Sequence, residues 1–405
     1  MQTTDAELAG WRAVTAGTMH RNHLNNAGAG LMPSSVVEAM NEHIRLEAEI
    51  GGYEAADARA AAVASTYDSI ASLVGAEPRN VAVVANATHG FVQSLTSFDL
   101  HPGDTIVTSR SDYTSYQIQF IALTRRLGVR VLHAPELPEG GIDPNAVREI
   151  LRSTPCRLVH VSWVPTHSGL VQDVEGVGVV CEELGVPYLI DACQAAGQIP
   201  IDVNRLRCDY LSVTARKFLR GPRGIGFLYA SDRALARGDH PLFVDMRGAT
   251  WEGPTHYRIA DTAQRYEDWE FPYALVLGLG AAVRYALEVG VARAGARASK
   301  LAADLRRRLD GIDGVRALDR GRNPCAIVTA EVTNWHAPDL VNALRERGIN
   351  TAATLQWFGL LDLQPRGVSS ALRLSPHYYN AEAELDAAVA AVAELVDSRN
   401  TLDTD

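Results

Sequence analysis

The lysine with the most chemistry around it is Lys217, in the run Ser212-Val213-Thr214-Ala215-Arg216-Lys217-Phe218-Leu219-Arg220-Gly221-Pro222-Arg223-Gly224. It follows an apolar stretch and precedes a Gly/Pro turn that enters another. A primary amine can condense with an aldehyde, and Thr214 and Arg216 offer a hydroxyl and a cation for a phosphate nearby. That set suits pyridoxal 5′-phosphate. Taken alone, a lysine beside glycines reads equally well as a surface residue. A second run, Leu189-Ile190-Asp191-Ala192-Cys193-Gln194, ends an apolar stretch on a carboxylate 26 positions before Lys217. An acid against the pyridine nitrogen keeps that ring protonated as an electron sink, and Gln194 is a hydrogen-bonding candidate for the ring O3′. Without Lys217, Asp191 would read as a helix cap.

Two further segments fit the same ligand. Val84-Ala85-Asn86-Ala87-Thr88-His89-Gly90 passes from an apolar run into a helix. Free N–H groups at a helix start attract phosphate, which makes Ala87, Thr88 and His89 candidate contacts. In Asp112-Tyr113-Thr114-Ser115, Tyr113 is an aromatic candidate to stack on the pyridine face. Unsupported, both segments would be ordinary caps and loops.

These residues need a scaffold that presents strand ends side by side. Short apolar runs at 81–84, 105–107, 129–133, 158–162, 187–190, 210–213 and 226–229 alternate with helical patterns. Runs without polar alternation are what a sheet covered on both faces requires. The expectation is an α/β fold with a mostly parallel sheet, whose strand C-termini form the binding crevice. A polar arm at 1–32 precedes a large domain at 33–272. A smaller α+β domain with an interdomain helix is expected at 273–405. Within it the pattern predicts helices at 274–287 and 292–309, a strand at 326–332, a helix at 338–346, a strand at 372–374 and a helix at 381–396. The tail from 397 reads as frayed.

Composition sets the outer limits. The chain has 405 residues, 47% hydrophobic and 21% charged, with a net charge of −10. That balance argues against a nucleic-acid partner, which needs clustered cations. No run reaches the ~18 apolar residues of a membrane span, and acids at Asp5 and Glu7 argue against a signal peptide, so a cytoplasmic enzyme is expected. The five cysteines are scattered, and His167 and His377 lack ligand spacing, so neither a disulfide framework nor a metal site is expected.

The order of these motifs resembles the class V aminotransferase family, PLP-dependent transferases of fold type I that include cysteine desulfurases and C–S lyases. The likeness spans roughly residues 20–397. It implies that Ala87-Thr88-His89 is the phosphate loop and that Tyr113 stands where an aromatic residue stacks on the cofactor. It further implies that Asp191 and Gln194 grip the ring, and that Thr214-Ala215-Arg216-Lys217 is the lysine motif with Arg in place of His. In Leu372-Arg373-Leu374-Ser375-Pro376-His377, Arg373 would hold the substrate carboxylate. Asn26 would lie over the substrate. Thr166 stands near the position of an Asn that contacts O3′. Family members are usually homodimers, and the aromatic stretch 251–273 is where a partner would reach in.

The departures bear on the reaction. Desulfurases carry a nucleophilic cysteine shortly before the Arg strand, yet Thr351-Ala352-Ala353-Thr354-Leu355-Gln356-Trp357-Phe358-Gly359 has none. The partner-subunit Gly-Thr that touches phosphate is replaced by Tyr266-Glu267-Asp268-Trp269-Glu270. The run Glu47-Ala48-Glu49-Ile50-Gly51-Gly52-Tyr53 is similar to hercynylcysteine sulfoxide lyases, and related enzymes act in lincosamide antibiotic biosynthesis. The resemblance therefore implies a C–S β-lyase acting on an S-conjugated cysteine. Epimerisation, transamination and decarboxylation with oxidative deamination stay open on the same site, and so does a non-catalytic sulfur-trafficking scaffold.

Overall fold

The computed structural model describes residues 3–402. Its central element is a seven-stranded sheet. The strands are β1 (Val81–Val84), β2 (Thr105–Thr108), β3 (Arg130–His133), β4 (Leu158–Ser162), β5 (Tyr188–Asp191), β6 (Tyr210–Thr214) and β7 (Gly226–Ala230). They lie in the order β1-β7-β6-β5-β4-β2-β3. All neighbours are parallel except β7, which runs antiparallel to both β1 and β6. The apolar runs thus fall on the strands, and the mostly parallel sheet is present.

Side chains alternate across that sheet into two separate cores. Val81, Val83, Ile190, Leu211, Val213, Phe227 and Tyr229 pack on one face. Their chain neighbours Ala82, Val84, Leu189, Tyr210, Leu228 and Ala230 pack on the other. A strand whose odd and even residues are both apolar can do this only when both faces are covered. That is the physical reason the runs showed no polar alternation.

One polar group sits in the second core. His160 on β4 is fully buried against the rings of Phe91, Tyr116 and Phe120, with neither ring nitrogen hydrogen-bonded among the described residues and Asp112 Oδ1 4.0 Å from Nε2. Burial pushes its pKa from about 6.5 down to about 3. The folded chain then binds fewer protons there than the unfolded chain, so stability falls as pH drops below 6.5. His160→Phe is expected to flatten the acid limb of a melting-temperature-versus-pH curve between pH 6.5 and 3. An unchanged limb would assign the acid sensitivity to other groups.

A second sheet of four strands contains β10 (Val315–Ala317), β11 (Val328–Val332), β12 (Ala352–Leu355) and β13 (Ser370–Leu374), ordered β10-β11-β13-β12 and wholly antiparallel. Two long helices, Tyr273–Val289 and Val291–Asp310, precede it, and the helix Glu382–Leu402 follows. That last helix continues past 397, so the expected fraying there is not seen up to Leu402, and 403–405 lie outside the described residues. The expected strand at 326–332 begins at Val328.

Several elements went unread in the sequence, β10 and β12 of the second sheet among them. The polar arm holds a helix, Asp5–Ala13, started by a capping box in which Thr4 and Glu7 satisfy each other's backbone N–H groups. His23 and Asn22 pair with Ile349–Asn350 as a short parallel ladder. The aromatic stretch contains an antiparallel hairpin of β8 (Ala249–Gly253) and β9 (His256–Ile259). Among the described residues no single helix is long and apolar enough to cross a membrane.

Candidate active site

The ends of β5 and β6 open into a cavity of about 280 Å³ with Lys217 at its base. The β6 strand stops at Thr214 and the chain turns sharply. Arg220 N–H donates to Lys217 O, and Gly221 N–H donates to Ala215 O. The early segment crosses this turn closely. Gly30 N–H donates to Arg216 O, and a Cβ on Gly30 would stand 2.6 Å from Lys217 O, which excludes any side chain there. Arg220 fixes the turn from below in a left-handed conformation (φ 61°). Its buried guanidinium donates to Leu31 O, Thr15 Oγ1 and Tyr378 Oη, and it lies over the rings of Tyr285, Tyr378 and Tyr379.

Seven of the expected residues line the cavity. Lys217 is only 8% exposed, and its amine makes no hydrogen bond among the described residues. Burial pushes its pKa down, Cys193 and Asp191 oppose this, and Arg216 and Arg373 add to it. Asp191 ends β5 and accepts the Cys193 N–H at 2.8 Å through Oδ1, which leaves Oδ2 for a ligand. Thr214 and Arg216 stand on the lysine side. Ala87 and Thr88 face them from the start of the helix Ala87–Leu95, and Tyr113 comes from the N-cap of the helix Thr114–Leu127.

The other candidates take different places. His89 does not line the cavity: its N–H is spent on the Asn86 cap, and its ring is beside Gln93 and Asp268. Thr166 serves Arg373 rather than the cofactor cavity, because Arg373 Nη1 donates to Thr166 O at 2.8 Å and reaches Thr166 Oγ1 at 3.4 Å. Gln194 Nε2 donates to Ala27 O, and its Oε1 is buried without a partner. Asn26 turns away from the site. Its amide donates to Ser375 O and His23 O and accepts from Tyr379 Oη, so it ties the arm to β13 and has nothing left for a substrate. Its neighbour Asn25 takes the outward position, accepting from Arg373 Nη2 at 3.4 Å.

Arg373 is the most costly group in the site. Among the described residues it is buried with no carboxylate partner, and its Nε has no hydrogen-bond partner. Burial and the nearby Arg216 push its guanidinium pKa from 12.5 down to about 10. Cations held this way call for anions from outside.

These features fit pyridoxal phosphate. Free amides at a nine-residue helix start, with Thr214 and Arg216 opposite, form an anion cradle. A carboxylate with a spare oxygen, an unbonded lysine amine and the orphaned Gln194 Oε1 match a protonated pyridine, an aldehyde and a phenolic group. Sequence reasoning missed Asn86, Tyr116, Cys193 and Arg223, which also line the cavity. Asn86 alone had a signal, as an Asn placed three residues before His89 in a helix-capping position. Cys193 is the one thiol in the lining. Burial first, and Asp191 second, hold it protonated.

The chain matches the family model described as aminotransferase class-V over residues 22–388. A probable cysteine desulfurase from Methanothermobacter thermautotrophicus is 24% identical over 370 residues, covering 90% of this chain and 92% of that protein. A probable hercynylcysteine sulfoxide lyase from Mycobacterium tuberculosis is 28% identical over 369 residues, covering 90% and 88%. Among solved structures, the apo cysteine desulfurase from Thermococcus onnurineus NA1 superposes with a TM-score of 0.88 at 22% identity, covering 96% of this chain and 98% of that one.

Proposed function

Because this chain belongs to the class-V aminotransferase family, whose members depend on pyridoxal phosphate, we propose that it is a C–S β-lyase of S-substituted cysteines. The substrate, with one water, would yield a thiol, pyruvate and ammonia. The observation that carries this reading is the segment before β13, where Gln356-Trp357-Phe358-Gly359 offers no thiol to receive sulfur. Cys193, inside the cavity, is held protonated and is not a substitute nucleophile. An S-conjugate needs no protein thiol, since its own sulfur leaves with the substituent. The likeness to a sulfoxide lyase supports the same choice.

When bound, the cofactor supplies an electron sink for charge developing at the substrate Cα. Ala87, Thr88, Thr214 and Arg216 hold its phosphate. Asp191 keeps the proton on the pyridine nitrogen, and Tyr113 covers one face of the ring. Arg373 takes the substrate carboxylate, relieved of its burial cost by the pairing. The Lys217 amine, shifted toward its neutral form by desolvation and so able to accept a proton, removes the one on Cα. The Cβ–S bond then breaks with its electron pair leaving on sulfur. The chain is further proposed to act as a homodimer, with the exposed side chains Leu242, Phe243, Met246 and Trp251 in the contact.

The test supplies purified holoenzyme with S-conjugated cysteines and quantifies pyruvate against released thiol. Equimolar pyruvate and thiol are expected. Turnover giving a D-amino acid, a keto acid that keeps its sulfur, or carbon dioxide would replace this reading with epimerase, transaminase or decarboxylative chemistry.

A further inference from the structure

The amino acid's carboxylate and Cα are fixed by Arg373 and Lys217, so the S-substituent can leave only toward the mouth of the cavity. The short turn Gln356–Phe358 packs between residues that adjoin the cavity lining and the Arg373 acceptor Thr166. On one side Thr114, next to the lining residue Tyr113, donates its hydroxyl to Trp357 O and Phe358 O at 3.1 and 2.7 Å. On the other, His167, next to Thr166, presses its ring against Gly359, where a Cβ would meet Nδ1 at 2.5 Å. The turn is held from behind as well. Arg110 donates to Leu361 O, and Asp362 is gripped by His167, Arg320 and Arg366 at 3.2, 2.7 and 3.1 Å.

On this rigid turn Trp357 is 57% exposed and meets Phe358 edge-on at 4.3 Å. A large indole left in water on an immobile backbone is a ready contact surface, because its ordering cost is already met. The surroundings are cationic, with Arg216 and Arg223 lining the cavity and Arg110 holding the segment behind the turn through Leu361 O. A positively charged substituent is therefore disfavoured.

We propose that Trp357 forms one wall of an S-substituent subsite that selects cysteine conjugates carrying a neutral planar aromatic group. This rests on the C–S lyase reading. The experiment measures kcat/KM for S-benzyl-L-cysteine and S-methyl-L-cysteine with wild type, Trp357→Ala and Trp357→Phe, alongside calorimetric binding of both compounds to the wild type and Trp357→Ala holoenzymes. Wild type is expected to favour the benzyl compound. Trp357→Ala should shrink that preference about three- to tenfold, mainly through KM, and Trp357→Phe should restore part of it. An unchanged ratio in Trp357→Ala overturns the proposal. If neither compound is cleaved, the lyase reading fails separately. In that case a benzyl-over-methyl binding preference lost in Trp357→Ala sustains the subsite, and its absence overturns it.

Discussion

Lys217→Ala is expected to remove turnover completely, together with the visible absorbance of lysine-bound pyridoxal. Two functions are lost at once. No other lysine lines the cavity, so the aldehyde has no amine to join. The proton at Cα also loses its base, which by itself is worth about 10²–10⁴ in rate. The methyl of alanine leaves Asp191, Thr214 and the helix start in place, so the phosphate cradle still retains the cofactor non-covalently. Absorbance spectra and pyruvate release read the two losses separately. Pyruvate production persisting near the wild-type rate would sink the assignment of Lys217 and with it the proposed chemistry.

Arg373→Gln carries the other large effect, weakening substrate binding while stabilising the cofactor-free fold. Loss of the bidentate charge-assisted pair with a substrate carboxylate should raise KM on the order of 10²- to 10³-fold, from about 1.5–3 kcal/mol per charged hydrogen bond. In the cofactor-free protein the same change removes a buried cation that has only neutral acceptors and a like-charged neighbour in Arg216. Its melting temperature should therefore rise. A fall in both substrate affinity and melting temperature would mean that Arg373 is a structural prop holding β13 to the Thr166 loop. A rise in KM without stabilisation would mean that the burial cost is met by groups other than the substrate.

Legibility in the sequence followed the range of the interactions. The sheet could be read because apolar runs are local, and every run fell on a strand. Lys217, Asp191, Thr88 and Tyr113 were legible because each sits at the end of a strand or in the turn just past one. What escaped depends on contacts across hundreds of positions. Asn25 and Asn26 are identical side chains, and only the pairing of Asn25 with Ser375 decides which one faces Arg373. No local pattern distinguishes Thr166 as an Arg373 acceptor, since its partner lies 207 residues away. His89 was misplaced for a simpler reason. Its amide is consumed by the Asn86 side chain, a cap that competes with any phosphate for the same donor.

The Arg220 anchor sets the order in which this molecule can mature. The turn presenting Lys217 is fastened through one guanidinium to Thr15 and Leu31 on an early segment and to Tyr378 on a late one, 158 residues further along. Contacts this distant in sequence close late, since their loop entropy must be met before they reward it. The seven-stranded sheet is complete at Ala230, long before Tyr378 emerges during synthesis. A growing chain therefore holds its scaffold while the lysine turn still lacks its last clamp. The lysine turn gains its last clamp only when Tyr378 is in place, and a chain cut short before it lacks that support.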